Sequence, residues 1–265
     1  MIKNIEKFLI KTLAKNHLVK LVDLFLHFSL KLKGYKNFGN FDETGETYLI
    51  NLLKKNKIKY CLDIGAHNGE YSKKLLNINV LKVIAFEPMK VSFGKLRKLK
   101  KLYPNNFECF NFALSNQNGF KKIYFTNKNS QLASLIKNLK EINFLKKKKI
   151  YNQKVKTIPL DFFVKQNKKL FTKKIDFVKI DTEGNDLNVI RGGFKFFRKH
   201  NPKFIQIEMN YHNLFSGDNL YQFKKVLNKY NIYRLLPYNN GLLKIDPTRP
   251  ENNIFHLSNY IFIRN

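Results

Sequence analysis

The segment that most constrains the fold is residues 60–71, YCLDIGAHNGEY, where an apolar run ends in an acid and a glycine turn. Asp63, Gly65 and Gly69 form a D-x-G-x-x-x-G pattern, and a second apolar run ends in Glu87. Such a strand, glycine turn, helix and acid-tipped strand are typical of α/β proteins that bind a nucleoside-bearing cofactor. The glycines let the backbone approach the ligand, and the second acid accepts hydrogen bonds from ribose hydroxyls.

Strand-like and helix-like segments alternate along most of the chain. Apolar runs of strand length predict the main sheet at 58–63, 82–87, 107–114, 175–181, 204–208, 232–237 and 259–263. Two further short strands are predicted at 120–125 and 155–159. Because helices separate the first five runs, the sequence predicts a mostly parallel, seven-stranded sheet covered by helices on both faces.

The chain is strongly basic, with 50 Lys and Arg against 19 Asp and Glu and a net charge of +31. Only six of the basic residues are Arg, the residue best suited to reading bases and gripping phosphates. This scarcity argues against a nucleic-acid partner, although the surface should attract phospholipid headgroups, nucleotide sugars or acidic glycans.

Both cysteines, Cys61 and Cys109, lie in apolar runs and are expected to be reduced thiols of a cytoplasmic protein.

Residues 1–40 are predicted to be a basic helical extension ahead of a domain at 41–265. Four lysines recur every fourth residue and share one helical face: Lys3, Lys7, Lys11 and Lys15. The apolar stretch 18–32 is interrupted by charged residues and is too short to span a bilayer. Two interpretations stay open. Residues 1–32 form a helix on the anionic inner face of the membrane, or they form a lid or a dimer contact.

Acids end four of the five strands predicted to be parallel, at Asp63, Glu87, Asp181 with Glu183, and Glu208. Ligands of such sheets bind at the carboxyl ends of the strands. The first turn lacks the G-x-G-x-x-G spacing that holds a pyrophosphate. An acid-lined cleft without a phosphate site suits the cationic sulfonium and ammonium of S-adenosylmethionine better than NAD.

Four segments resemble the motifs of the FkbM-type methyltransferases: DIGAHNGEYS at 63–72, AFEP at 85–88, KIDTEG at 179–184 and IRGG at 190–193. Ile207-Glu208 and the segment from Thr157 to Asp161 also resemble that family, with Pro159 as a departure. The resemblance implies a Rossmann-like class I fold that uses S-adenosylmethionine. It also implies O-methylation, often of sugar hydroxyls in surface polysaccharides, glycolipids or natural products.

The resemblance also implies roles for individual residues. Asp63, Gly65 and Gly69 would shape the methionine pocket, Glu87 would hold the ribose, and Asp181 and Glu183 would face the sulfonium and the acceptor. The remaining residues that we assign to the cofactor site follow the first three strands: His67, Tyr71, Pro88, Ala113 and Leu114.

A sugar hydroxyl must lose its proton as it attacks, so the site needs a base. We predict Asp181, Glu183 and His212 as the catalytic residues, with Glu208 as a further candidate. Alternatively, Glu183 only caps the next helix, Glu208 only pairs with a lysine, and His212 has no chemical role. No ligand spacing points to a metal. Two other functions stay open, a nucleic-acid methyltransferase and a non-catalytic binding protein that keeps the fold.

Overall fold

An eight-stranded sheet forms the centre of the protein in a computed structural model, which describes residues 2–36, 38–127 and 132–265. The strands are β1 Tyr60–Ile64, β2 Lys82–Phe86, β3 Phe107–Phe110, β4 Ala113–Leu114, β5 Gly119–Phe125, β6 Tyr151–Ile158, β7 Phe177–Ile180, β8 Phe204–Met209, β9 Tyr230–Leu235, β10 Leu242–Ile245 and β11 Ser258–Arg264.

The helices precede and separate these strands. They are α1 Ile2–Leu13, α2 Val19–Leu32, α3 Glu46–Lys55, α4 Glu70–Asn77, α5 Lys90–Leu102, α6 Leu160–Gln166, α7 Asp186–Gly192, α8 Phe194–His200, α9 His212–Ser216 and α10 Leu220–Val226. Among the described residues, no helix is both long and apolar enough to cross a bilayer. Met1 and Asn37, which belong to the predicted extension, lie outside the described residues.

The main sheet has the order β10-β9-β11-β8-β7-β1-β2-β3, and its five strands from β8 to β3 are parallel. The chain first winds outward from β1 to β3 and then returns to β7 on the other side of β1. The strand order therefore reverses between β1 and β7, which is where such sheets bind their ligands. Asp63 of β1 lies opposite Ala85 on one side and Lys179 on the other.

The α/β class, the mostly parallel sheet and the N-terminal helices are confirmed, but two strand predictions are wrong. The main sheet has eight strands rather than seven because β10 forms an antiparallel hairpin with β9. The predicted strand 107–114 is broken after Phe110. Asn111 donates from Nδ2 to the carbonyl oxygens of Glu87 and Pro88, so the chain turns there, and β4 joins a second sheet of order β4-β6-β5.

Two hydrophobic cores cover the two faces of the main sheet, as strand alternation requires. Leu62 and Ile64 of β1 face the core that contains α6, α7, α8 and α10. Cys61 of the same strand faces the opposite core, which contains α3, α4 and α5, and its thiol is free. The two cores hold the carboxyl ends of the parallel strands in fixed register.

Gly192, the last residue of α7, is predicted to be a packing constraint. A Cβ atom at this position would lie 2.1 Å from the carbonyl oxygen of Ser115, whereas a Cβ at Gly94 in α5 would meet nothing within 4 Å. We expect Gly192→Ala to lower the free energy of unfolding by about 2 kcal/mol. Gly94→Ala, the matched control, should raise it by up to about 1 kcal/mol through helix propensity. Urea denaturation of both variants measures the difference, and equal effects would contradict the packing argument.

Candidate active site

A cavity of about 400 Å³ opens at the carboxyl ends of β1, β2, β7 and β8. This volume lies in the range of small-molecule sites, which extends from roughly 300 to 1,000 Å³. The wall has a polar part, which holds most of the acids predicted from the sequence, and an apolar part around Phe112 and Leu114. The cavity also lies at the reversal of strand order, so fold and shape point to the same place.

The glycine turn after β1 forms one edge of the cavity. The backbone N–H groups of Gly65 and Ala66 donate to the carbonyl oxygen of Phe86, at 2.9 and 3.0 Å. Gly65 has a φ of +81°, and a Cβ there would lie 1.8 Å from the carbonyl oxygen of Asp181. Only glycine allows the turn after β1 to approach the end of β7 so closely. Gly69 instead faces Leu96, away from the cavity wall.

Asp63, at the end of β1, is not among the residues that line the cavity. Its carboxylate is fully buried, and Oδ2 accepts a hydrogen bond from Ser72 Oγ at 2.6 Å. Burial raises the pKa of this carboxyl above its ordinary value. Asp63 therefore joins β1 to α4, while Gly65 and His67 of the intervening turn line the cavity.

Glu87 lines the cavity at the tip of β2, and backbone groups fix its carboxylate. Oε2 accepts from the N–H of His67 at 2.8 Å, and Oε1 accepts from the N–H of Met89 at 2.7 Å. Each carboxylate oxygen has a second lone pair that can accept from a ligand hydroxyl. Burial raises the pKa of Glu87 to about 7. Pro88, also predicted from the sequence, lines the cavity beside it.

The apolar part of the cavity joins the main sheet to the small sheet. Ala113 and Leu114 lie here as predicted. The remaining apolar residues of this part were not predicted, and they are Met89, Phe112, Ile123, Leu132, Ala133 and Leu135. The run LASLI at 132–136 is apolar, but without strand or helix periodicity it gave no sign of facing a ligand.

Lys179 is the central cation of the site, and its role was not predicted. Its Nζ atom lies 2.6 Å from Asp181 Oδ2 and 5.2 Å from the centroid of the Tyr71 ring. Burial opposes the charge of this ammonium group. The carboxylates of Asp181, Asp63 and Glu46 outweigh burial, so the pKa of Lys179 is raised above its ordinary value. Lys179 therefore carries a charge that the surrounding acids stabilise.

A chain of hydrogen bonds fixes Tyr71 between β8 and α3. The Tyr71 hydroxyl donates to Gln206 Oε1 at 2.5 Å, and Gln206 Nε2 donates to Glu46 Oε1 at 2.8 Å. Tyr71 and Glu46 both line the cavity. Glu46 and Gln206 were not predicted. Gln206 precedes Glu208 by two residues on β8, and that spacing on one face of a strand was the available signal.

Three carboxylates, from Asp181, Glu183 and Glu208, have oxygen atoms within 4.8 Å of one another and line the cavity. Asn210 Nδ2 donates to Glu183 Oε2 at 2.8 Å and to Glu208 Oε1 at 3.3 Å. Burial, followed by repulsion from Asp181, raises the pKa of both glutamates well above the ordinary value. Their spacing would suit a divalent cation, but the Lys179 ammonium already pairs with Asp181. We assign no metal here.

The loop that carries Glu183 is held by a different acid. Glu183 has a φ of +53°, and its carbonyl oxygen accepts from Ser134 Oγ at 2.6 Å. The Asp186 carboxylate accepts from the backbone N–H of Thr182 at 2.8 Å and of Gly184 at 3.2 Å. Asp186 therefore satisfies the backbone before α7, and the Glu183 side chain faces the cavity instead of capping the helix.

His212, the first residue of α9, lies behind Glu183. Its Nε2 atom is 3.3 Å from Glu183 Oε2, and the ring is almost fully buried. Burial lowers the pKa of His212 to about 4, so the imidazole is neutral at pH 7. His212 is not among the residues that line the cavity. The structure brings it to the carboxylate cluster but not to the cavity itself.

The order of the sheet and the cavity at its strand reversal are those of a Rossmann-like α/β protein with a small-molecule site. A family model described as the methyltransferase FkbM domain matches residues 63–234, which is more than half of the chain. The protein therefore belongs to the FkbM methyltransferase family. A comparison with curated protein sequences finds no match.

Solved methyltransferase structures resemble the fold. Methyltransferase FkbM from Methylobacillus flagellatus KT shares 13% identity at a TM-score of 0.46, covering 93% of this chain and 60% of that one. Precorrin-6y C5,15-methyltransferase from Geobacter metallireducens shares 12% identity at a TM-score of 0.40, covering 83% and 88%. TehB from Haemophilus influenzae shares 9% sequence identity at a TM-score of 0.40, and the match covers 85% of this chain and 66% of TehB. The present chain thus spans 60% of the length of the first of these proteins.

Replacing Lys179 tests its part in the stability of the site. Lys179→Met leaves Asp181 and its neighbours without their cation, so we expect a loss of about 3–5 kcal/mol in the free energy of unfolding at pH 8. The pKa values of Glu46, Asp63, Glu183 and Glu208, which burial already raises and Lys179 partly lowers, will rise further. A raised carboxyl pKa costs stability as pH increases through it. The loss should therefore be smaller at pH 5, where the carboxyls take up protons.

Thermal and urea denaturation at the two pH values measure this effect. The double variant K179M/D181N removes both charges of the pair and should recover part of the loss. An equal loss at both pH values would contradict an electrostatic role for Lys179.

Proposed function

We propose that the protein is an S-adenosylmethionine-dependent O-methyltransferase that methylates a sugar hydroxyl of a surface polysaccharide or glycolipid precursor. Membership of the FkbM family supports methyl transfer. The observation that carries the rest of the proposal is that one cavity joins a backbone-fixed carboxylate, Glu87, to the cluster of Asp181, Glu183 and Glu208. Glu87 suits a ribose, and the carboxylate cluster suits a proton transfer beside the positive charge of Lys179.

The residues of the cavity fit this cofactor. Glu87 offers lone pairs to two ribose hydroxyls, and the apolar wall around Phe112, Leu114 and Ile123 suits an adenine ring. The acids near Lys179 suit the ammonium and sulfonium groups, since Glu46, Asp181, Glu183 and Glu208 outnumber Lys179 among the described residues of the cavity wall. When bound, the cofactor supplies a methyl group on a positively charged sulfur atom.

Glu183 is the base in this proposal. Asp181 is already paired with the Lys179 ammonium, and His212 lies behind Glu183 with a lowered pKa. Burial gives Glu183 a raised pKa, so its carboxylate is a stronger proton acceptor than an exposed glutamate. It takes the proton of the acceptor hydroxyl as the new O–C bond forms, and Asn210 holds its Oε2 atom in place.

Polar residues around the cavity support a carbohydrate acceptor. Amide and hydroxyl side chains of Asn40, Thr44 and Asn68 line the cavity together with the carboxylates. Such groups both donate to and accept from sugar hydroxyls. The phosphate backbone of a nucleic acid would meet the acids of the cavity unfavourably, and only six Arg residues are present to bind it.

Calorimetry separates the cofactor hypotheses. We expect S-adenosylmethionine and S-adenosylhomocysteine to bind the full chain, and NAD to release no heat. Absence of binding by S-adenosylmethionine would favour the non-catalytic binding protein. A methylated RNA product, in place of a methylated glycan, would favour the nucleic-acid enzyme.

Glu183→Gln tests the base. We expect the variant to lower kcat by about 10²- to 10⁴-fold because the hydroxyl proton loses its acceptor. Affinity for S-adenosylmethionine should change little. Transfer of radiolabelled methyl groups to the cell-envelope glycan fraction of the source cells measures the rate. Glu251→Gln, an exposed glutamate of the same charge, serves as the control. An unchanged kcat in the Glu183 variant would exclude this assignment.

Glu87 predicts a pH dependence of binding. Ribose hydroxyls donate to the ionised carboxylate, whose pKa is about 7 without a ligand. Affinity should therefore rise as pH increases from 6 to 8 and then level off. The probe is 5′-methylthioadenosine, which keeps the ribose but lacks the amino acid group that titrates in the full cofactor. Glu87→Gln should bind more weakly and lose the pH dependence, and a variant that keeps it would refute this role.

A further inference from the structure

We propose that α1 and α2 form a docking surface for an anionic lipid bilayer. The side chains of residues 3–29 are exposed apart from the half-buried Leu18, and Leu30 is buried against the domain. The exposed apolar side chains of this segment are Ile5, Phe8, Leu9, Ile10, Leu13, Val19, Leu21, Val22, Leu24, Phe25, Leu26 and Phe28, followed by Leu32 at the end of α2. So many adjacent apolar residues mark a surface that contacts another body.

These helices need such a contact to be stable. They have 12 and 14 residues, and isolated helices of roughly 12–15 residues are marginal in water. Most helical stability in proteins comes from covering an apolar face. The domain covers Leu30 but leaves Phe25 and Phe28 about 60% exposed, at 64% and 59%. The missing cover must come from outside the described chain.

The pattern of α1 suits the interface between lipid and water. Ile5, Phe8, Leu9 and Leu13 share one face by their helical spacing. A separate face carries the lysines at positions 3, 7 and 11. A helix of this kind lies in the plane of a membrane, with the apolar side among the acyl chains and the lysines at the headgroups.

The positive charge of these helices favours an anionic bilayer as the partner of the docking surface and disfavours a second copy of the chain in that role. Residues 2–36 contain eight lysines and only two acids, Glu6 and Asp23, and the whole molecule has a net charge of +31. Two such molecules repel each other as they approach. An anionic surface attracts each lysine that comes within a Debye length of it.

The residues that follow α2 are fixed to the domain beside the cavity. The Tyr35 hydroxyl donates to the carbonyl oxygen of Glu251 at 3.1 Å, and the Arg234 guanidinium lies 3.9 Å from the Tyr35 ring centroid. The Lys36 N–H donates to the carbonyl oxygen of Leu257, a residue of the cavity wall, at 2.9 Å. Docking through α1 and α2 therefore attaches the protein to the bilayer by a segment that adjoins the cavity wall. Taken with the proposed function, on which this step rests, it indicates a lipid-linked acceptor.

Sedimentation with vesicles tests the docking of the full chain. We expect at least tenfold tighter binding to vesicles of phosphatidylglycerol and phosphatidylcholine than to phosphatidylcholine alone, and weaker binding in 0.5 M salt. The variant K3E/K7E/K11E should lose at least tenfold in affinity. Its matched control, K146E/K147E/K148E, changes the net charge equally at exposed positions of the domain and should lose much less. Equal losses would show only a general charge effect and would overturn the proposal.

The apolar contact is tested by L24S/F25S. Its control, L102S/F120S, replaces one exposed leucine and one exposed phenylalanine of the domain. Only the first variant should weaken vesicle binding. Sedimentation velocity without vesicles tests the competing occupant, since a stable dimer that L24S/F25S dissolves would assign the helices to a second copy.

Vesicle binding requires neither cofactor nor acceptor, so its failure is distinct from failure of the proposed function. Calorimetry with S-adenosylmethionine on the same samples reports the site separately. Vesicle binding with no cofactor binding would keep the docking surface and reject the enzyme. Cofactor binding with no preference for anionic vesicles would reject the docking surface and leave the proposed function in place.

Discussion

The ion pair between Lys179 and Asp181 is the interaction on which the rest of the site depends. Acids from α3, β1, β7 and β8 converge at the carboxyl edge of the sheet, and burial raises the pKa of Glu46, Asp63, Glu183 and Glu208. Without a cation among them, these groups would take up protons or force the strands apart. Lys179 holds them together from the strand next to β1, and it leaves Glu183 and Glu208 with the high proton affinity that a base requires.

Periodicity and turn chemistry predicted most of the fold because the buried parallel strands are continuous apolar runs bounded by glycine and acids. The errors lie where a side chain redirected the backbone. Asn111 holds the carbonyl oxygens at the end of β2, so the predicted third strand stops and its last residues join another sheet. The extra strand β10 is stabilised by pairing with β9, a contact between residues that local pattern does not reveal.

The residues of the site were predictable where an acidic side chain follows the carboxyl end of a strand. Glu87, Asp181 and Glu183 line the cavity because the carboxyl tips of parallel strands meet at one edge. The sequence did not predict which of the candidate residues reach the wall of the cavity. Asp63 and His212 do not line the cavity, although His212 lies 3.3 Å from Glu183. The sequence gives the order of the residues along the chain but not which of them reach the cavity wall. Glu46 and Lys179 were missed since their roles exist only after α3 and β7 have packed together.

The buried side chain of Arg234 determines where the folding unit of the domain must begin. This arginine is 1% exposed and stacks on Tyr35, which itself is fully buried. The segment matched by the family model runs from 63 to 234 and does not include that aromatic cover. A protein shortened to begin at residue 41 would leave a charged guanidinium on β9 without the ring that covers it, beside the hydrophobic strand β11. Tyr35 therefore belongs to the folding unit, and removal of α1 and α2 is compatible with folding only if Tyr35 is kept.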